Sequence, residues 1–520
     1  MKTHHQREII ELCVPCAATF TAPDGASVTL QPFAKADGRH YVRYASAVTG
    51  THTCVAGGET TAFEIIPYTG SNPLYKHGAV KASANRRHLE HEDGTPFFYL
   101  ADTWWMGFTA RLAFPADFAE LTRDRVKKGF TAVQIVAGLY PDMDPFDPRG
   151  ANEAGFPWDE DFTTVNPAYF DAADARIALL VENGIMPCIV GCWGFYIAFA
   201  GADAIKRHWE NLLARWAAYP VMWCMAGEAI MPFYNDPDIK SGALSIADYQ
   251  TRLRAAWTDI TAHVRSLDPF RRFVTIHPTQ NGREQVNDER LLDLDMLQTG
   301  HSSFSSLLYT LQQVRIAVNR RAMPVINSEA CYEGICGSSF ADVQRYLFCS
   351  NILLGCCGHA YGANGLWQVN SRATPYGPSP HGASWGETTW DEACRLPGSA
   401  HIGNIKRFLM KFEWWRFEPH PEWIHNPCDC ESSLAGFFCA GIPGEARVIF
   451  KPLLGGMFWG EDDVLALDGP YHAYYFDPVD GKTRSLGVAT PDAHGRWKSP
   501  RVTRFQDWLL ALVKRPLANA

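Results

Sequence analysis

From about residue 89 to residue 411 the chain alternates short apolar runs with amphipathic helical patterns, and this alternation narrows its fold more than any other property. Continuous apolar runs of this length suit strands buried on both faces, and the helices between them are what connects parallel strands. Eight runs occur in order: 97–101, 131–136, 185–191, 221–225, 273–277, 295–299, one opening at 324–327 and one at 356–361. Helices are predicted at 117–128, 166–183, 203–218, 249–264, 306–321, 340–354 and 399–411. The second shows the logic. Asn166 is an N-cap and Pro167 takes the first helical position. Phe170, Ala173, Ile177, Leu180 and Val181 share one face, and Asn183-Gly184 stops the helix. Eight strand–helix units over roughly 320 residues fit an α/β fold, a (β/α)8 TIM barrel with long loops. A doubly wound sheet is the alternative, but no G-x-G-x-x-G follows the first run, so its dinucleotide-binding form has no support.

The flanks read differently. Residues 1–87 hold short strands (27–30, 40–44, 62–66) between Gly and Pro turns, with no helical period of useful length, and are expected to form a β-sandwich. The barrel is expected over 88–418. Residues 419–520 return to short strands (436–439, 446–450, 472–476) and are expected to form a second β-sandwich.

A net charge of −9, with no cluster of Lys and Arg, gives the chain no bulk attraction for nucleic acid or anionic membrane. No apolar stretch reaches the ~18 residues of a spanning helix. The first apolar run is broken by Glu11 and Pro15 and makes a poor secretory signal. The 15 cysteines are odd in number and several, such as Cys188 and Cys192, sit in strand-like runs. That pattern fits buried reduced thiols, and a cytoplasmic location is expected. Neither the C-x-x-C at Cys13 and Cys16 nor the C-x-C at Cys428 and Cys430 completes a zinc site.

A barrel carries its chemistry at the C-terminal ends of its strands. Read there, the runs deliver Asp102, Trp104 and Trp105; Gln134; Trp193; Glu228; His277; Gln298 and His301; Glu329, Tyr332 and Glu333; and Tyr361, Asn364 and Trp367. This ring is polar and aromatic, with carboxylates on the fourth and seventh strands. It lacks an H-x-H pair and a Schiff-base lysine, so no metal and no cofactor is expected. Two carboxylates facing each other across a barrel mouth suit glycosidic cleavage, in which one acid protonates the leaving oxygen and one carboxylate stands beneath the anomeric carbon. A separation of ~5–5.5 Å gives retention and ~6.5–9.5 Å gives inversion. Glu228 and Glu329 are the candidate pair, with Glu333 a rival nucleophile. Asp102 reads as a ligand for a sugar hydroxyl or as a loop cap, and His277 and His301 as sugar contacts or satisfied core residues. The remaining residues of the ring are expected to bind sugar. The loop at 137–167, with Asp142, Asp144 and Asp147, lacks the glycine and closing glutamate of a calcium loop and reads as solvated.

Several motifs in order resemble the apiosidase-like glycosidase family: HEDGTPFFYLADTWW at 91–105, KGFTAVQ at 128–134, QTGH at 298–301, NSEACYEG at 327–334 and YGANGLWQ at 361–368. The resemblance spans the barrel, about 88–415. The flanks resemble the family's N-terminal β-sandwich and its C-terminal sandwich of collagen-binding type. The resemblance implies a retaining mechanism with the acid/base after strand four and the nucleophile after strand seven, which are Glu228 and Glu329. This chain departs from the family in having Glu228 where relatives carry Asp, and from classical barrel glycosidases in having Gly227 where they carry Asn. Apiose specificity is therefore not carried over. The expectation is an exo-acting glycosidase on a small oligosaccharide or glycoside, furanosides included. A non-catalytic carbohydrate-binding protein and a transglycosylase on the same scaffold are the competing functions. A homo-oligomer is compatible with the sequence.

Overall fold

The computed structural model describes residues 1–320, 323–453, 463–502 and 504–517. Eight parallel strands form the central wall: β1 (Tyr99–Thr103), β2 (Ala132–Val136), β3 (Met186–Val190), β4 (Met222–Cys224), β5 (Phe273–Thr275), β6 (Asp295–Gln298), β7 (Val325–Glu329) and β8 (Gly358–Tyr361). Every residue of these strands is buried, as continuous apolar runs require. Around them lie α1 (Ala116–Lys128), α2 (Pro167–Glu182), α3 (Tyr196–Trp216), α4 (Ile246–Leu267), α5 (Phe304–Arg320), α6 (Ala341–Leu353) and α7 (Pro397–Leu409). Asn166 caps α2 by accepting from the Ala168 amide, and Gly129 ends α1 in the left-handed region. The helix predicted from residue 203 starts earlier, at Tyr196, because a short first turn joins it across a non-helical Gly201.

The ladder runs 5-4-3-2-1-8-7-6, so a nearly closed TIM barrel results. Between β5 and β6 isolated links replace a ladder. The Asp293 amide donates to Val274 O (2.8 Å), and Thr275 Oγ1 donates to Leu294 O (2.8 Å). No α-helix joins these two strands among the described residues; two 3-10 turns do so. None of the described helices is long and apolar enough to cross a membrane.

At the N-terminus a five-stranded and a three-stranded sheet pack around Ile10, Phe20, Val42, Tyr44, Phe63 and Ile65. A buried ion cluster locks this sandwich to the barrel. Arg43, on a strand of the sandwich, contacts Asp174 of α2 (2.6 Å), and so does Arg215 of α3 (2.8 Å). Trp216 Nε1 donates to the other oxygen of Asp174 (2.6 Å). Burial raises the Asp174 carboxyl, but the two guanidinium groups outweigh it and hold it below its usual value.

At the C-terminus a six-stranded antiparallel sheet lies between the barrel and a two-stranded sheet. Strict alternation makes this layering possible. Phe438, Val448, Phe450, Tyr474 and Phe476 join the barrel core, and Phe476 stacks on Phe408 of α7 at 4.3 Å. Their neighbours Cys439, Ile449, Ala473 and Tyr475 face the other way.

Candidate active site

A cleft of about 110 Å³ opens at the C-terminal ends of the strands. Trp105, Asp142, Trp193, Glu228, Tyr234, Gln298, His301, Glu329, Tyr332, Trp367 and Trp385 line it. A larger hollow of about 700 Å³, between the N-terminal sandwich and α3, holds one carboxylate and no facing pair.

Glu228 leaves β4 with φ +42°, a conformation that costs a non-glycine residue about 1–3 kcal/mol and recurs at functional sites. Its carboxylate accepts from Trp193 Nε1 (3.1 Å) and Gln298 Nε2 (2.9 Å). Gly227 explains why the position before it carries no side chain. A Cβ there would stand 2.1 Å from the Trp193 ring, so an Asn at 227 and this placement of Trp193 exclude each other. Gly362 plays the same part for Tyr332, whose ring would lie 2.2 Å from a Cβ.

Glu329 ends β7 just past a bulge. Leu297 pairs with Asn327 and Gln298 with Glu329, so Ser328 is the extra residue. Bulges of this kind re-aim side chains beside active sites. Here Gln298 borders Glu329 and also bonds Glu228. His301 Nε2 lies 2.7 Å from Glu329 Oε1. His277 Nε2 stands 2.8 Å from Oε2, close but not aligned as a hydrogen bond. His277 is set in place by Nδ1, 3.0 Å from Ser328 Oγ, whose own hydroxyl is spent on Leu297 O. Tyr332 also lies against Glu329, and its hydroxyl accepts from Trp105 Nε1 (3.0 Å).

These surroundings drive the two carboxyls apart. Burial first, and then the charge of Glu329, push Glu228 above its ordinary value, tempered by the bonds from Gln298 and Trp193. Burial alone would raise Glu329 too, but the two imidazoles outweigh it and hold that carboxyl far below the usual range. Burial pulls His301 down, yet its bonds to Cys331 and Glu329 lift it to about 9.

Eight of the residues expected at the strand ends therefore line one cleft: Trp105, Trp193, Glu228, Gln298, His301, Glu329, Tyr332 and Trp367. The other seven are not among its lining residues. Asp102 faces the helices. It is fully buried and accepts from Arg125 of α1 and from Trp104 Nε1 (2.7 Å), which removes Trp104 from the cleft as well. The cause is the two-residue period of β1. Tyr99 and Thr103 face inward, where both contact the interior side chain of Gln134. Gln134 is itself sealed below the cleft, donating to Ser328 O (2.9 Å). Glu333 accepts from Tyr361 Oη (2.6 Å) and the Gly398 amide, placing both Glu333 and Tyr361 behind the wall. Asn364 holds the loop that carries Trp385, donating to its carbonyl (2.6 Å). His277 touches Glu329 from beneath.

The sequence reading missed Asp142, Tyr234 and Trp385. The loop around Asp142 is not solvated: Leu139, Tyr140, Asp142 and Met143 are all buried. The apolar neighbours of Asp142 were the available signal.

The family model for the apiosidase-like catalytic domain matches residues 83–416. Among curated proteins no relative matches. A solved structure described as a glycoside hydrolase is 18% identical, covering 86% of this chain and 100% of its own, with a TM-score of 0.69. A glycoside hydrolase family 5 structure from Bacteroides vulgatus is also 18% identical, covering 86% of this chain and 94% of its own, with a TM-score of 0.68. A third structure, from the same organism, is 14% identical and covers 99% of this chain and 100% of its own, with a TM-score of 0.70. At these identities the structures attest the fold, flanking sheets included, and the family match attests the class. With well over half its length matched, the chain belongs to the apiosidase-like family and is a glycoside hydrolase.

Proposed function

We propose that the chain is a retaining, exo-acting glycosidase that releases one sugar from a small oligosaccharide or glycoside. Glu329 attacks the anomeric carbon. Glu228 protonates the leaving oxygen and then takes a proton from the water that frees the sugar. What supports the division of roles is the opposed surroundings of the two carboxyls in one cleft, and the retaining course is what the family resemblance implies. A nucleophile must be ionised and an acid protonated, and environments that separate two carboxyls in this way mark the division of roles. Glu329 lies between two imidazoles, whereas Glu228 is buried beside a negative charge. The volume, about 110 Å³, is well below the ~300–1,000 Å³ of a site for a drug-sized ligand and supports entry of a single terminal sugar.

The pH profile follows in sign. Activity needs Glu329 ionised and Glu228 protonated. The lowered Glu329 shifts the acid limb of kcat/KM below the ordinary carboxylate range, and the raised Glu228 shifts the alkaline limb above it. Rates on a glycoside with a poor leaving group should therefore hold flat through mild acid and fall only on the alkaline side. A steep loss below pH ~5 would contradict the assignment of Glu329.

The decisive test is a panel of aryl glycosides and oligosaccharides, pyranosides and furanosides of both anomers and apiosides among them. Proton NMR would follow the first product formed. Release of a monosaccharide with the anomeric configuration of the substrate is expected. The opposite anomer would remove the retaining mechanism, larger fragments would remove exo action, and silence would remove the glycosidase assignment to this cleft.

A further inference from the structure

Asp142, on the loop after β2, brings a third carboxylate to the cleft, and its two oxygens are used unequally. Oδ2 accepts from Ser379 Oγ (2.5 Å) and from Trp385 Nε1 (3.0 Å), which pins the long loop after β8 against the loop after β2. Oδ1 has no hydrogen-bond partner, although the residue is only 3% exposed. His381 Nε2 is 3.8 Å away and beyond hydrogen-bond reach. A buried acceptor left unmatched is costly, and one that belongs to a cleft wall marks where a ligand donor goes. Pinning the loop does not account for it, because Oδ2 alone makes both bonds.

The rest of the lining points the same way. Glu228 and Glu329 line it with Asp142, and no Lys or Arg is present among its described lining residues. His301, its one imidazole, is already engaged with Glu329. A carboxylated sugar would find no Lys or Arg of the described lining to pair with, whereas a hydroxyl meets an unpartnered Asp142 oxygen beside the aromatic rings of Trp385 and Tyr234.

Building on the glycosidase reading of this cleft, we infer that Asp142 Oδ1 accepts a hydroxyl of the bound sugar, making Asp142 a specificity-determining residue that selects uncharged sugars over uronates.

Asp142→Asn tests this cleanly. Asp142 has φ +58°, which Asn tolerates, and the Asn oxygen can keep the bonds from Ser379 and Trp385 while its amide puts a donor where the free acceptor stood. The substrates are the aryl glycoside of the released sugar, its monodeoxy analogues and the matching uronide. On the parent glycoside the variant should lose about 10- to 100-fold in kcat/KM. On the one analogue lacking the partner hydroxyl, wild type and variant should differ little, because the contact is already gone. Wild type should disfavour the uronide by at least about 100-fold, and the variant should narrow that gap. An equal loss on the parent and every deoxy analogue, with the uronide ratio unchanged, would make Asp142 a loop clamp and overturn the inference. Ser379→Ala, which cuts only the Oδ2 side, serves as the control for such a uniform loss. Turnover abolished by Glu329→Gln shows that the glycosidase reading stands while Asp142 is judged. If no glycoside is turned over, that reading fails separately, and titration with methyl glycosides decides the matter. Binding by wild type that is lost in Asp142→Asn sustains the contact, and equal or absent binding ends it.

Discussion

Glu329→Gln should lower kcat by about three orders of magnitude or more, the scale on which loss of a nucleophile is felt, while the protein still folds. Gln preserves the length and shape of the side chain, so the loss reports on charge and nucleophilicity. Glu228→Gln should separate from it by substrate. With a poor leaving group the loss should be of the order of 10²–10⁴, and with an activated aryl leaving group far smaller, because protonation is then dispensable in the first step. Steady-state rates on both substrates distinguish the roles, and near-normal rates in both variants would end the assignment. Glu329→Gln carries a second signature. His301 has its pKa lifted to about 9 from an unperturbed 6.5, in part by Glu329. A raised histidine contributes stability that is full below about 6.5 and lost as pH rises through 9. Melting of the variant should therefore depend less on pH across that window than melting of the wild type.

Asp174→Ala should cost about 3–5 kcal/mol of stability, more than any other single change at the junction of sandwich and barrel. Arg43, Asp174 and Arg215 are all buried, and Asp174 is the carboxylate that both guanidinium groups share. Its removal leaves Arg215 with Asp171 (3.0 Å) and Arg43 with Glu11 (2.8 Å), each of them more exposed, and takes the acceptor from Trp216. Denaturant unfolding of the purified variant measures this. A loss under about 1 kcal/mol would mean that water reaches the two arginines, contrary to the packing described here.

How much of this was legible in the sequence depended on whether local or distant contacts decide a position. Glu228 and Glu329 could be found because each terminates an apolar run whose end must lie at the barrel mouth. Asp102, Glu333 and Tyr361 stand as near to strand ends and yet face the helices. Which face a side chain takes at a strand end turns on register and bulges, and these depend on partner strands far along the chain. The bulge at Ser328 shows this, since only its pairing with β6 reveals it. Asp142 was misread for a related reason. Its apolar neighbours hint at burial, but the partners that complete it, Ser379 and Trp385, lie more than 230 positions away. Apart from the early start of α3 at Tyr196, the seven expected helices lie within a few residues of their predicted bounds, because caps and stops such as Asn166 and Gly129 act locally.

Two aromatic walls of the cleft rest on bare backbone, Trp193 over Gly227 and Tyr332 over Gly362. Truncation scanning, which looks for function by removing atoms, passes over both glycines because they have nothing to remove. Yet one added methyl at either would move a ring that bonds or borders one of the two cleft carboxylates. The chemistry of this cleft is thus held in place partly by positions defined by emptiness, where the smallest gain of mass, rather than the loss of a functional group, disturbs the reaction. Mutational surveys of this fold gain from writing alanine in as well as cutting back to it.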